Sequence, residues 1–235
     1  MTHDMMYSDQ GPRRIFLARH GQSISNVEER ISGQTDPPLT LKGERQAQRL
    51  AEAMHGIRLA KVMTSSLRRS IETARPTAES QGIPMCSMNA LNEMSFGVLD
   101  GQLRGGLDHK QQQLLDQWTK DKVRFRVPNG ECLMDVQRRV APALSSMLED
   151  MADGTLLIVG HRHTNLVILS ALLRCDLHAI ADSPIQSKYV YEIQYSPTPH
   201  IHTICLTGKA RGKRIEGFLS GDDAMRTSEE HCPKS

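Results

Sequence analysis

Apolar residues in this chain come in short unbroken runs separated by amphipathic stretches. "RRIFLA", "LAKVMTSS", "IPMCSM" and "TLLIVG" read as buried strands. Between them lie helical patterns. In "DPPLTLKGERQAQRLAEAMHG", Leu41, Ala47, Leu50, Ala51 and Met54 recur at helical spacing and Gly56 ends the run. "LRRSIETARPTAESQG" reads as a second helix that Pro76 should kink or break. "LDHKQQQLLDQWTKD" reads as a third. "CLMDVQRRVAPALSSMLEDMADG" is a long helix with Leu133, Val136, Val140, Leu144 and Leu148 on one face. A further helix is predicted from about Asn165 to Arg174. "SKYVYEIQYS" and "HIHTICL" alternate with period two and look like a closing antiparallel pair.

Strands that alternate with helices predict an α/β fold. The expected form is a three-layer sandwich: a mostly parallel central sheet, helices on both faces, and antiparallel pairing near the C-terminal end. Residues 1–13 read as a disordered tail, 14–207 as one catalytic domain, and 208–235 as a flexible tail. In such sheets the reactive crevice lies outside the carboxyl ends of the strands. Catalytic side chains are therefore expected where apolar runs stop.

Three runs stop on reactive groups. The first ends at Arg19, His20 and Gly21, where glycine is expected to supply the angles of a sharp exit. The second leads into Arg68 and Arg69. "LLIVG" ends at His161, followed by Arg162 and His163. Two arginines and two histidines on one sheet edge suit a phosphoryl group, whose oxygens arginine grips in pairs. No GxxxxGK[ST] loop is present, so this is not a P-loop protein. Neutral imidazole can serve as the nucleophile. The leaving oxygen then needs a proton, and Glu93 in "LNEMSFG" stands in a suitable loop.

Composition narrows the field. The chain has 235 residues, 29 basic and 27 acidic side chains and a formal charge of +2, so it offers no general attraction to nucleic acid. Aromatic content of 4% argues against a base-stacking surface. Five scattered cysteines without a CxxC pair imply neither a zinc ribbon nor a disulfide framework, and predict a reducing, cytoplasmic setting. The N-terminus lacks the apolar stretch of a secretory signal, and no run approaches the ~18 residues that span a membrane. His161-x-His163 has no Cys or carboxylate partner at a metal-ligand spacing, so neither metal nor cofactor is expected.

These segments together resemble the histidine phosphatase superfamily, also called the phosphoglycerate mutase-like family. "RHGQSISN" is similar to its RHGxSxxN opening, and "DPPLTLKGERQAQRL" to its D-x-PLT-xxG-xxQA segment. "SSLRRSIETA" resembles its S-P-L-x-R-A-xx-TA segment, with Ser66 and Ser70 in place of proline and alanine. "LNEMSFGVLDG" and "PNGECLMDVQRRV" resemble its acid-bearing loop and its P-x-GES-xx-D-xxxR stretch, with Cys132 for serine. "TLLIVGHRHTNLVILSALL" resembles its second-histidine strand and helix. The matches run in the family's order from about Arg14 to Leu206.

The resemblance implies roles residue by residue. His20 matches the nucleophile that becomes phosphohistidine. Arg19 and Arg69 match the arginines on the phosphoryl oxygens, with Thr73 and Ala74 fixing the register on Arg69 rather than Arg68. His161 matches the second pocket histidine. Glu93 matches the acid that protonates the leaving alcohol and then activates water. Gly21, Ser23 and Asn26 match positions around the phosphate. The family usually has glycine where this chain has Arg162. Either Arg162 or His163 meets a second anionic group on the substrate, or Arg162 turns outward to a surface carboxylate.

The implied activity is metal-independent hydrolysis of a phosphomonoester on a small phosphorylated metabolite. A phosphoglycerate mutase is the alternative. Mutases of the family carry a tyrosine-bearing stretch, roughly E-R-H-Y-G, where this chain has "NEMSFGVLDG", and they carry a proline-rich insertion it lacks. A non-catalytic phospholigand-binding protein would have lost His20 or Glu93, and both are present. The tyrosine-rich strand near residue 191, read as a sheet edge, could pair with a second copy as a homodimer.

Overall fold

The computed structural model describes residues 13–151, 154–195 and 198–219. Its strands are β1 (Arg13–Arg19), β2 (Lys61–Ser65), β3 (Met85–Met88), β4 (Thr155–Gly160), β5 (Tyr189–Tyr195), β6 (His200–Cys205) and β7 (Arg214–Glu216). Its helices are α1 (Ile24–Val27), α2 (Leu41–Met54), α3 (Arg68–Gln81), α4 (His109–Lys120), α5 (Leu133–Glu149), α6 (Arg162–Leu173) and α7 (Leu177–Ile180). The seven strands form one sheet in the order β3-β2-β4-β1-β5-β6-β7. The first four are parallel neighbours. The last three join antiparallel.

The pleat sorts each strand into two cores. Ile15, Leu17, Met63, Leu156 and Ile158 face the helices α4, α5 and α6. Phe16, Ala18, Val62, Leu157 and Val159 face Leu50 and Met54 of α2 and Ala74 and Ala78 of α3. Each fully buried aliphatic side chain stabilises the fold by about 1.5–3 kcal/mol. This is why the parallel strands read as continuous apolar runs rather than alternations. The expected three layers are present. Among the described residues no helix is long and apolar enough to cross a membrane.

Several elements differ from the sequence expectation. The presumed C-terminal tail folds back from Gly208 and Gly212, both at φ +78, and β7 pairs with β6. Thr203 anchors it, donating Oγ1–H to the Gly217 carbonyl at 2.8 Å and accepting the Leu219 N–H at 3.0 Å. Residues 1–12 and 220–235 lie outside the described residues, and Arg13 already belongs to β1. Helix α3 runs through Pro76 without a break. The proline forfeits one backbone bond, but Thr73, Ala74, Thr77 and Ala78 on either side are buried. Leu41 opens α2 at 72% exposure, and Gly43 takes the buried place. β5 is no edge: β1 and β6 flank it, so the strand named for pairing with a second copy is already paired on both sides. Its Tyr189 and Tyr191 are core. His202 is half-buried and meets Arg214 at 3.0 Å.

Strand register sets up the site. Arg19 stands opposite Gly160, Thr64 opposite Val159, and Ser65 opposite Met88. The carboxyl ends of β1, β2, β3 and β4 therefore stop in one row. The His20 N–H donates to the Gly160 carbonyl at 3.0 Å, which carries the pairing one residue beyond β1.

Candidate active site

His20 is 5% exposed at the end of β1. Its Nδ1 lies 2.7 Å from the Gly21 carbonyl, so Nδ1 must be the donor. That fixes the tautomer and leaves Nε2 with its lone pair and no hydrogen bond among the described residues. Burial pushes the imidazole well below its ordinary pKa, and His161, Arg19 and Arg69 push it the same way. The ring is neutral at pH 7.

His161 caps the N-terminus of α6 and is fully buried, with its ring centroid 5.0 Å from that of His20. Its Nε2 meets Ser65 Oγ at 2.7 Å, and its buried Nδ1 has no protein partner. Burial and then Arg69 hold this imidazole neutral as well. After its polar first turn α6 is mostly apolar, and Leu166, Val167, Ile168, Leu169 and Leu172 are buried. Asn165 ties it to the sheet by donating Nδ2–H to the Ala18 carbonyl at 3.0 Å. A Cβ on Gly160 would stand 2.3 Å from Asn165 Oδ1, so β4 must end in glycine.

Two guanidiniums close the pocket. Arg69, 1% exposed in the first turn of α3, donates to the Thr35 and Gly33 carbonyls at 2.5 and 2.8 Å. Asp100 fixes that loop by accepting the Gly33 and Gln34 N–H groups at 2.8 and 2.6 Å. Arg19 donates to the Ile185 carbonyl at 2.8 Å, and its buried Nε has no partner. Carbonyls orient these cations without neutralising them. Among the described residues no carboxylate lies within 4.0 Å of Arg19 or Arg69. Arg68 is exposed and pairs with Glu72 at 2.5 Å, in agreement with the register that selected Arg69.

Glu93 brings a carboxylate to the pocket and is 5% exposed. Its Oε1 accepts the Met94, His163 and Thr164 N–H groups at 2.9, 3.2 and 3.3 Å. Burial alone would raise its pKa. His163, then His161 and the Met94 N–H, overcome that and hold the carboxyl well below the usual range. Arg139 props the loop from α5, donating to the Ala90 and Glu93 carbonyls and to Glu131.

The structure brings Arg19, His20, Arg69, Glu93 and His161 together. It gives other work to three residues expected around the phosphate. The Gly21 N–H donates to Thr73 Oγ1 at 2.9 Å. Ser23 donates both N–H and Oγ–H to Asn26 Oδ1, at 3.0 and 3.1 Å, which closes the turn into α1. Gly21 is not at positive φ, contrary to the turn expected there. A Cβ would stand 2.6 Å from the Gly43 carbonyl, so close passage of α2 is what demands glycine. Arg162 is half-buried, donates to the Asp182 carbonyl at 3.4 Å and has no carboxylate partner among the described residues. His163 does not stand at the rim. It turns inward to Glu93, 5.6 Å from the Phe96 ring and 5.4 Å from that of Trp118. Trp118 is core at 5% exposure.

Ser65 and Arg104 were not foreseen. Ser65 lies inside the run "LAKVMTSS" read as a strand, and β2 ends on it. Arg104 lies in a short turn with no pattern of its own, and its charge repels that of Arg162.

A mixed sheet that gathers two neutral imidazoles, two guanidiniums oriented by carbonyls and the Glu93 carboxylate at the ends of its parallel strands is an α/β protein with its polar pocket in the crevice outside those ends. The chain belongs to the histidine phosphatase superfamily (branch 1), whose model matches residues 15–201. Among its relatives is "Probable phosphoglycerate mutase GpmB" of Yersinia enterocolitica, 31% identical over 186 residues, which are 79% of this chain and 86% of that one. YhfR of Bacillus stearothermophilus superposes with a TM-score of 0.74 at 28% identity, over 80% of this chain and 95% of that one. The alpha-ribazole phosphatase of Shigella flexneri superposes with a TM-score of 0.73 over 88% and 99% of the two chains. At 24% identity it shares the fold.

Proposed function

We propose that the protein is a phosphomonoesterase that works through a phosphohistidine on His20 and needs no metal. One observation carries the reading. The His20 imidazole is neutral with Nε2 free of hydrogen bonds among the described residues, it lies between Arg19 and Arg69, which form no ion pair there, and the Glu93 carboxylate stands near both cations. Nε2 attacks phosphorus while the bond to the leaving oxygen breaks. Arg19, Arg69 and His161 receive the charge on the equatorial oxygens. Glu93 delivers a proton to the leaving alcohol. In the second half water gives a proton to Glu93 as its oxygen joins phosphorus and the N–P bond breaks.

Hydrolysis is favoured over mutase chemistry by the wall beside Glu93. Phe96 is buried edge-on against Trp118 and offers no hydroxyl with which to hold a phosphoglycerate. The name of the Yersinia relative supports the other reading. Arg162, without a carboxylate partner among the described residues and close enough to Arg19 and Arg104 for their charges to repel, suits a substrate with a second anionic group.

A phosphomonoester panel tests this by inorganic phosphate release. Wild type should turn over, His20→Ala should not, and quenched wild type should hold acid-labile, base-stable phosphate. Full activity in His20→Ala removes His20 as nucleophile. Interconversion of 2- and 3-phosphoglycerate without phosphate release makes the protein a mutase.

A further inference from the structure

Glu93 poses a difficulty as a general acid. Its Oε1 accepts three backbone N–H groups, and His163 adds its own N–H and Nδ1 to Oε2, both at 3.3 Å. A carboxylate so fully served by donors binds a proton poorly. The reaction nonetheless has to find a proton there. The group in contact with Oε2 that can hold one is His163, and its position is built. The ring is 5% exposed and boxed by Phe96 and Trp118, which themselves meet at 5.1 Å. Its Nε2 is buried without a hydrogen-bond partner among the described residues. Both rings meet that of His163 in T-shaped or edge geometry, at 75° and 78°, and hold it against Glu93.

We propose that His163 holds the catalytic proton at rest and passes it through Nδ1 to Glu93 Oε2 when the substrate binds. The proposal rests on the phosphatase reading and deepens it. As the substrate's negative charge enters, the proton moves from Nδ1 to Oε2 and on to the leaving oxygen. The ring stays neutral with its hydrogen on Nε2. In the hydrolytic half the proton from water reaches Glu93 and returns to Nδ1, so the cycle closes. His163 touches no substrate and is a positioning residue. The charged groups around the pair are His161 at the start of α6, Arg19 from β1, Arg69 from α3, and Arg139 from α5 on the Glu93 carbonyl. Lys122 stands beyond Trp118, 5.5 Å from that ring. The cations favour the ionised carboxylate, which is why the proton needs another seat.

His163→Asn keeps a hydrogen-bond donor for Oε2 but has no proton to transfer. His163→Gln is the second variant should Asn fail to fold, with thermal melts to show that either is folded. The measurement is kcat against pH for an alkyl phosphate and for 4-nitrophenyl phosphate, whose leaving group needs no proton. Imidazole takes up a proton at higher pH than a carboxyl. Losing His163 should therefore move the alkaline limb for the alkyl phosphate to lower pH by at least about one unit. At pH 7 the loss with the alkyl phosphate should exceed that with nitrophenyl phosphate by about 10²-fold. Profiles that superimpose on wild type after scaling, or equal losses for both substrates, overturn the proposal. A wild type that releases phosphate from neither substrate overturns the phosphatase reading itself, so the two failures are distinct.

Discussion

Acidifying the ligand-free protein from pH 7.5 to 5.5 should destabilise it through His20 and His161. Both imidazoles are buried and held well below their ordinary pKa, by burial first and by neighbouring cations next. In the unfolded chain each takes up a proton near pH 6.5, whereas in the folded state each resists. The unfolded state then binds more protons, so stability falls as pH drops below about 6.5. Over pH 7.5 to 5.5 an unfolded histidine goes from about 10% to about 90% protonated, which is worth about 1.4 kcal/mol per group. These two groups alone give about 2.7 kcal/mol, equivalent to roughly 5–11 °C in Tm for a domain of this size, and a His163 that keeps its proton as proposed above acts in the opposite sense. Glu93 works in a separate window. Its depressed pKa stabilises the fold above the ordinary carboxyl range, and that share is lost only below about pH 4.5.

Thermal melts of wild type, His20→Asn and His161→Asn at half-unit pH steps read this directly. Each variant should lose about 1.4 kcal/mol less than wild type on acidification, whatever its Tm at pH 7.5. Variants that follow the wild-type slope would show rings that titrate as in the unfolded chain, and variants that lose about 1.4 kcal/mol more than wild type would show rings that are charged in the folded state throughout this range. The lone pair assigned to His20 Nε2 would then be unavailable at neutral pH, and the nucleophile assignment would fall with it.

Two further outcomes are expected. Gly43→Ala places a Cβ 2.2 Å from the Gln22 carbonyl, so it should cost about 1–3 kcal/mol in melts and lower kcat by shifting the loop after His20; an unchanged Tm would show slack between α2 and that loop. Arg162→Ala should raise KM about 10-fold or more for phosphomonoesters with a second acidic group and leave a neutral alkyl phosphate nearly unaffected. Equal KM changes for both classes would place Arg162 outside the substrate site.

What the sequence disclosed follows from the range of the forces involved. Apolar runs and helical spacing are local, so the strands, the long α5 face and the rule that chemistry sits where strands stop were all legible. Arg69 could be told from Arg68 only through the family register that Thr73 and Ala74 fix; in the structure Thr73 is buried and donates its hydroxyl to the Arg69 carbonyl at 2.7 Å. Contacts between distant segments were not legible. Gly21 is required by Gly43, and no reading of either segment alone shows the two backbones passing so close. β7 is three residues long, too short for a period to register, and depends on glycine turns and Thr203.

The misplacement of His163 has the most instructive cause. The helix was expected to start near Asn165, which would leave Arg162 and His163 together on a loop at the rim. It starts at Arg162, with His161 as its cap. Successive helical residues diverge by about 100°. Arg162 therefore stays half-exposed while His163 turns under the sheet edge toward Glu93. A three-residue error in a helix boundary thus separates two residues that looked alike in sequence, one set to meet the substrate and the other to serve the acid.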